Sequence, residues 1–192
     1  MIKDPLSQAK NKTDLSRYDN SWYDPGAGKL KIALWYFVNV LFITNPLNPL
    51  SGLKVFLLRI FGAKVGRGVV IKPSVNIKYP WFLEIGDYAW IGEHVWIDNL
   101  AMVKIGKNCC ISQGAMLLCG NHNYKKTTFD LIVKPITLED GSWVGAMSTV
   151  CPGVIIKTHS ILTVDSVATE TLEAYSLYKG NPAVKIRERI IT

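Results

Sequence analysis

From Val65 onward, one aliphatic residue returns every six positions with few breaks: Val65, Ile71, Ile77, Ile85, Ile91, Ile97, Ile105, Ile111, Leu117, Leu138, Val144, Val150, Ile156 and Leu162. All are Leu, Ile or Val, and with about one-in-three odds per position a chance run is on the order of 10⁻⁷. Four places after each stands a residue that is usually small or β-branched, such as Val75, Ala89, Cys109, Ser148 or Ser166. One place after is often glycine: Gly66, Gly86, Gly92, Gly106, Gly145. Six is neither the 3.6 of a helix nor a plain strand alternation. Being even, it keeps positions i and i+4 on one side of an extended chain. Six residues then make one short strand and a corner, and three such units close a triangular coil. Coils stack about 4.8 Å apart through backbone hydrogen bonds. The aliphatic residue fills the inside, the small residue fits beside it, and glycine eases the corner.

This is the signature of a hexapeptide parallel β-helix. The spacing widens to eight at Ile77–Ile85 and Ile97–Ile105, and to twenty-one at Leu117–Leu138. Grouped in threes, all three insertions fall at one corner. The longest, about 119–135, begins Cys-Gly-Asn-His-Asn-Tyr and contains His122. A long loop on a rigid repeat is usually functional.

The expected organisation is an arm (1–28), a helical cap (29–62), the β-helix (63–170, with loop 119–135), and a connector with a basic tail or short helix (171–192). In the cap, residues 30–44 are strongly apolar but shorter than the ~20 residues a spanning helix needs. They read as a helix packed on the coil, or else as one lying in a membrane interface with Lys29 and Lys31 near phosphates. Ser51 is expected to cap a second helix, 52–61, with Leu53, Phe56, Leu57 and Ile60 on one face. The pair would cover the open end of the prism.

The net charge of +7 suits an anionic partner but is scattered, which disfavours a nucleic-acid reader. The four cysteines show no zinc or redox spacing, and no secretion signal is visible. Reduced thiols in a cytoplasm are expected, with the inner membrane face as an alternative address.

The repeat, the loop Gly-Asn-His-Asn-Tyr (120–124), the late Gly-Asn-Pro-Ala turn (180–183) and the basic residues after it resemble the hexapeptide acyltransferases. The stretches 53–66, Trp-Ile-Asp-Asn-Leu-Ala (96–101) and Ile-Ser-Gln-Gly-Ala (111–115) are similar to acetyltransferases of colanic acid and related exopolysaccharide biosynthesis. The resemblance covers roughly residues 30–190. It implies a left-handed prism, a homotrimer with sites between subunits, acetyl-CoA as co-substrate and a sugar or glycan acceptor; no metal is expected, because Asn123, Tyr124, Lys125 and Lys126 rather than a second histidine follow His122. It carries the general-base role to His122, and an imidazole suits that role because a sugar hydroxyl is a poor nucleophile until its proton is taken. Asp98, Asn99 and Asn121 are the expected acceptor contacts, with a turn-forming Asp-Asn pair as the alternative for the first two. Gly145, Ala146, Val164 and Thr169 would meet pantetheine through backbone groups, and Lys185 and Arg187 the phosphates. Glu170, where relatives often carry Lys, and Thr163-Val164-Asp165 depart from the family pattern at the nucleotide end. His94 and His159 read as corner residues. The expected reaction is O-acetylation of the acceptor; the alternatives are N-acetylation of an amino sugar and a non-catalytic trimeric scaffold.

Overall fold

The computed structural model describes residues 11–192; the first ten residues of the arm lie outside them. Residues 64–168 wind into a left-handed triangular β-helix whose strands form three parallel sheets. The first sheet stacks Lys64–Val65, Leu83–Ile85, Val103–Ile105, Ile136–Leu138 and Ile155–Ile156. The second stacks Val70–Ile71, Trp90–Ile91, Cys110–Ile111, Trp143–Val144 and Ile161–Leu162, and is extended at its top. The third stacks Asn76–Ile77, Trp96–Asp98, Met116–Leu118, Thr149–Val150 and Val167–Ala168.

All fourteen periodic aliphatics are buried inside the prism, Val65 at its open end least so. The small positions are buried too, apart from Ala101 in an insertion. The corner glycines act differently from expectation. At each of the eleven uninterrupted corners the left-handed residue is the fourth of the hexapeptide, among them Ser74, His94, Asn108, Met147 and His159. Where a glycine stands two places earlier, as Gly66, Gly86, Gly92, Gly106 and Gly145 do, it permits close approach of the next coil. A Cβ on Gly86 would lie 2.6 Å from Lys107 N and 2.7 Å from Gly106 C in the next coil.

The cap departs in part from the expected faces. Helix α1 (Lys29–Val38) runs into a π-turn at Asn39–Ile43, and only Trp35, Asn39 and Ile43 are buried, with Trp35 Nε1 donating to Ile77 O at 2.9 Å. Helix α2 (Ser51–Ile60) turns Lys54 and Leu58 inward and leaves Phe56 and Ile60 exposed. The reason is the open end of the prism, whose strand carbonyls need donors. Lys54 Nζ donates to Lys72 O at 2.7 Å, and Arg59 Nη2 to Val65 O at 2.7 Å. Ser51 does not cap its helix; its hydroxyl exchanges hydrogen bonds with the N–H and C=O of Ile71.

The C-terminal segment is neither a tail nor a helix. Ser176–Gly180 adds in parallel beside Ile161–Leu162, and Ala183–Glu188 folds back antiparallel on it. The β-branched Val184 and Ile186 suit an extended chain, and the pairing covers an edge that would otherwise be bare.

Candidate active site

The three insertions leave the prism at the corner between the third and first sheets, so their first residues stack. Asn76 and Ile77 pair with Trp96 and Ile97, and Asp98 pairs with Leu118. This puts Lys78 below Asp98 and the long loop above it. The loop is a hairpin, Gly120–His122 against Leu131–Val133. It roofs a cavity of about 390 Å³ whose walls include His122, Asp98, Lys78, Tyr79, Tyr18 and Tyr23. A larger groove of about 760 Å³ follows the charged first sheet past Lys64, Glu84 and Lys104 and contains no histidine.

His122 is held from several sides. Its ring stacks on Phe129 (4.5 Å between centroids, 8° between planes), and Tyr18 lies 5.7 Å away. Its Nδ1 sits 2.9 Å from Phe129 O. A carbonyl only accepts, so Nδ1 carries a proton, which makes Nε2 the ring's acceptor nitrogen in this tautomer. Phe129 takes a left-handed conformation (φ 53°), which turns its carbonyl toward the imidazole within the hairpin.

Asp98 is largely buried. Lys78 Nζ forms an ion pair with its Oδ1 at 2.9 Å, and that oxygen has no hydrogen-bond partner. Asn99 does not face the cavity. It is fully buried, donating to Tyr79 O and Phe82 O and accepting from Tyr79 N at 3.0 Å. It brackets the first insertion, because a corner that leaves the coil strands backbone groups that need partners. Asn121 is exposed, and its Oδ1 accepts from His122 N–H at 2.7 Å, steadying the backbone at the histidine.

The described part of the arm, unseen as a site element in the sequence, closes the cavity. Asp14 N donates to Thr127 O of the loop at 2.8 Å, and Tyr23 Oη donates to Leu100 O at 2.7 Å. Burial, with Tyr79 and Asp98 nearby, pushes the Tyr23 phenol above its ordinary range, so it stays a donor. Lys78 and Tyr79 were also missed. Their signal was the aligned insertions, which stack the residue after each third-sheet strand.

The residues expected to meet CoA split. Gly145, Ala146 and Val164 share the corner between the second and third sheets: a Cβ on Gly145 would lie 2.6 Å from Val164 N. Thr169 is exposed and opens the next corner, so it does not join them. Lys185 is taken up by an ion pair with Glu188, whereas Arg187 is exposed. His94 and His159 sit at corners, His159 stacked on Tyr175 at 4.9 Å. Among the described residues no group of three or more His, Cys, Asp or Glu is placed to hold a metal, and all four cysteines are free thiols.

A colanic acid biosynthesis acetyltransferase named WcaF, from Escherichia coli, is 38% identical over 167 residues, covering 87% of this chain and 92% of the relative. The chain belongs to the hexapeptide-repeat acetyltransferases. A galactoside O-acetyltransferase of Escherichia coli is 26% identical over 66% of this chain and 64% of its own length. Among solved structures of the family's fold, the acetyltransferase VCA0836 of Vibrio cholerae, complexed with acetyl coenzyme A, superposes with a TM-score of 0.77 at 21% identity, covering 88% of this chain and 93% of that one. No family model matches the chain.

Proposed function

We propose that this acetyltransferase moves the acetyl group of acetyl-CoA onto a hydroxyl of a sugar in a surface-polysaccharide intermediate, with His122 as general base. The observation that carries this reading is the Nδ1–Phe129 O contact, which leaves Nε2 free at a walled cavity. Nε2 takes the hydroxyl proton as the oxygen attacks the thioester carbonyl carbon. The tetrahedral oxyanion collapses, the C–S bond breaks, and the imidazolium returns the proton to the thiolate, releasing CoA as a thiol.

Gly145, Ala146 and Val164 form the corner that would hold pantetheine. Its glycine fits this use, since the backbones of neighbouring coils meet there without an intervening Cβ. Arg187 is the side chain left to meet phosphate. That corner is not the corner of His122. One chain therefore holds the two half-sites apart, which favours a homotrimer in which His122 of one prism faces the CoA corner of the next. The exposed Leu34, Phe37, Leu41, Leu47, Phe56 and Ile60 of the cap, with Lys29 and Lys31, fit peripheral contact with an anionic membrane. No helix among the described residues is long and apolar enough to cross one.

The deciding experiment follows free thiol from acetyl-CoA with a sugar panel. His122→Ala, folded by circular dichroism, should lose about 10²–10⁴-fold in kcat/KM. Undiminished turnover in that variant would remove the histidine from the mechanism. Flotation with anionic vesicles, compared with Phe37→Ser/Leu41→Ser, tests the membrane contact, and failure of the intact chain to float would end it.

A further inference from the structure

Among the described residues, two buried side-chain polar atoms have no hydrogen-bond partner: Asn39 Oδ1 and Asp98 Oδ1. Both residues line the same cavity, of about 500 Å³, between α1 with its π-turn and the third sheet. Buried polar atoms are nearly always paired, and whereas Asp98 Oδ1 has the Lys78 ammonium at 2.9 Å, Asn39 Oδ1 has no partner, which calls for a cause. Asn39 Nδ2 is committed to Asn76 Oδ1 at 2.8 Å. Turning both amides over would only exchange an orphaned oxygen for an orphaned NH₂. The backbone at Asn39 is itself unusual: it opens the π-turn, its carbonyl receiving Thr44 N–H at 2.8 Å, and such turns are frequent at functional sites.

As placed, Asn39 Oδ1 is an acceptor, so an occupant must bring a donor, and Asp98 can accept a second one beside its ion pair with Lys78. Tyr36 and Trp96 add accessible aromatic faces to the same walls. Hydroxyl donors beside C–H faces are what a pyranose presents. An acyl chain would leave the Asn39 oxygen unpaired. Lys78, Tyr79 and Asp98 also wall the His122 cavity, so the two cavities adjoin.

We infer that the cavity under Asn39 is a second sugar subsite, so that the acceptor is at least a disaccharide. The ring acetylated lies by His122 and its neighbour lies between α1 and the third sheet. This rests on reading the His122 cavity as the acetylation site. Asp98 then serves both rings from the shared wall.

The test uses the whole protein with acetyl-CoA and a panel of neutral disaccharides of glucose, galactose, mannose and their 6-deoxy forms, each beside its methyl monosaccharide. Disaccharide kcat/KM should exceed that of the matching monosaccharide by about tenfold or more for at least one pair, the yield of one or two new hydrogen bonds with stacking. Asn39→Leu, and separately Tyr36→Ala at an exposed position, should bring that pair to within about twofold. Equal values in every pair, or a preference that survives both variants, overturns the subsite while leaving His122-dependent turnover intact. Turnover that persists in His122→Ala counts against the acetylation reading instead. Saturation-transfer NMR with the same sugars reads the subsite without catalysis: disaccharide signal weakened by Asn39→Leu supports it, and no signal, or equal signal, overturns it.

Discussion

Asn99 offers a sharp test because its residue type suggests a sugar contact and its surroundings give it a different task. Its side chain is wholly buried and makes three hydrogen bonds to the insertion that carries Lys78 and Tyr79. Asn99→Leu keeps the volume and removes the polar groups. Tyr79 O would retain Phe82 N as a donor at 3.0 Å. Tyr79 N–H and Phe82 O would lose their partner. Each stranded group costs about 1–3 kcal/mol, so the pair should cost about 3 kcal/mol. For a domain of this size that lowers the melting midpoint by roughly 6–12 °C. Because Tyr79 walls the cavity proposed to hold the acceptor, KM for the acceptor should rise while KM for acetyl-CoA holds. Thermal denaturation by circular dichroism and thiol-release kinetics give both readings. A variant that melts within about a degree of the parent yet binds acceptor worse would refute the bracket and restore Asn99 as a substrate contact.

Three further outcomes follow from the packing. Gly86→Ala places a Cβ 2.6 Å from backbone in the next coil and should cost about 3 kcal/mol or prevent soluble expression, whereas Gly28→Ala, with nothing within 4 Å, should be neutral; equal melting of the two variants would contradict the close-approach role. Burial pushes the Cys119 thiol up to about 11, so in iodoacetamide at about pH 8 it should stay unmodified by mass spectrometry while Cys110 and Cys151 label first; early labelling at Cys119 would show an open corner. Burial lowers the Lys54 pKa below the ordinary 10.5, so between its folded value and 10.5 the unfolded chain holds more protons and stability gains with rising pH; Lys54→Met should abolish that alkaline gain in urea titrations, and an unchanged pH slope would count against it.

The parts of the molecule legible in the sequence are those governed by a period. The interior of the prism is one residue type repeated at one spacing, so its fourteen aliphatic positions could be read directly, and the coincident breaks located the corner that bears His122. What was not legible depends on groups that leave no periodic trace. Ser51, Lys54 and Arg59 hydrogen-bond to strand backbone rather than to their own helix, so a hydrophobic-face argument finds the half-buried Leu53 and Leu57 but misses the fully buried Lys54. Tyr18 and Tyr23 reach the cavity by arm docking, through long-range contacts that no local pattern encodes. The split between the Gly145 corner and the His122 corner was implicit in the threes of the repeat, since Leu117 and Val144 close different sides of the triangle.

The same geometry joins the cap to the chemistry. A β-helix cannot end without exposing a row of backbone acceptors, and a helix that supplies donors to them must turn its polar residues inward. Its apolar residues are then left outside, as Phe56 and Ile60 are. Helix α1 extends that outer surface with Leu34 and Phe37, while its other side supplies Tyr36 and, at the π-turn, Asn39 to the cavity beside Lys78 and Asp98. One helix thus separates an exposed apolar belt from the groove that leads to His122. An acceptor whose far end is held at a membrane would not need to cross the prism to reach the proposed base, His122; it would enter along α1, past Asn39, with the ring to be acetylated arriving first.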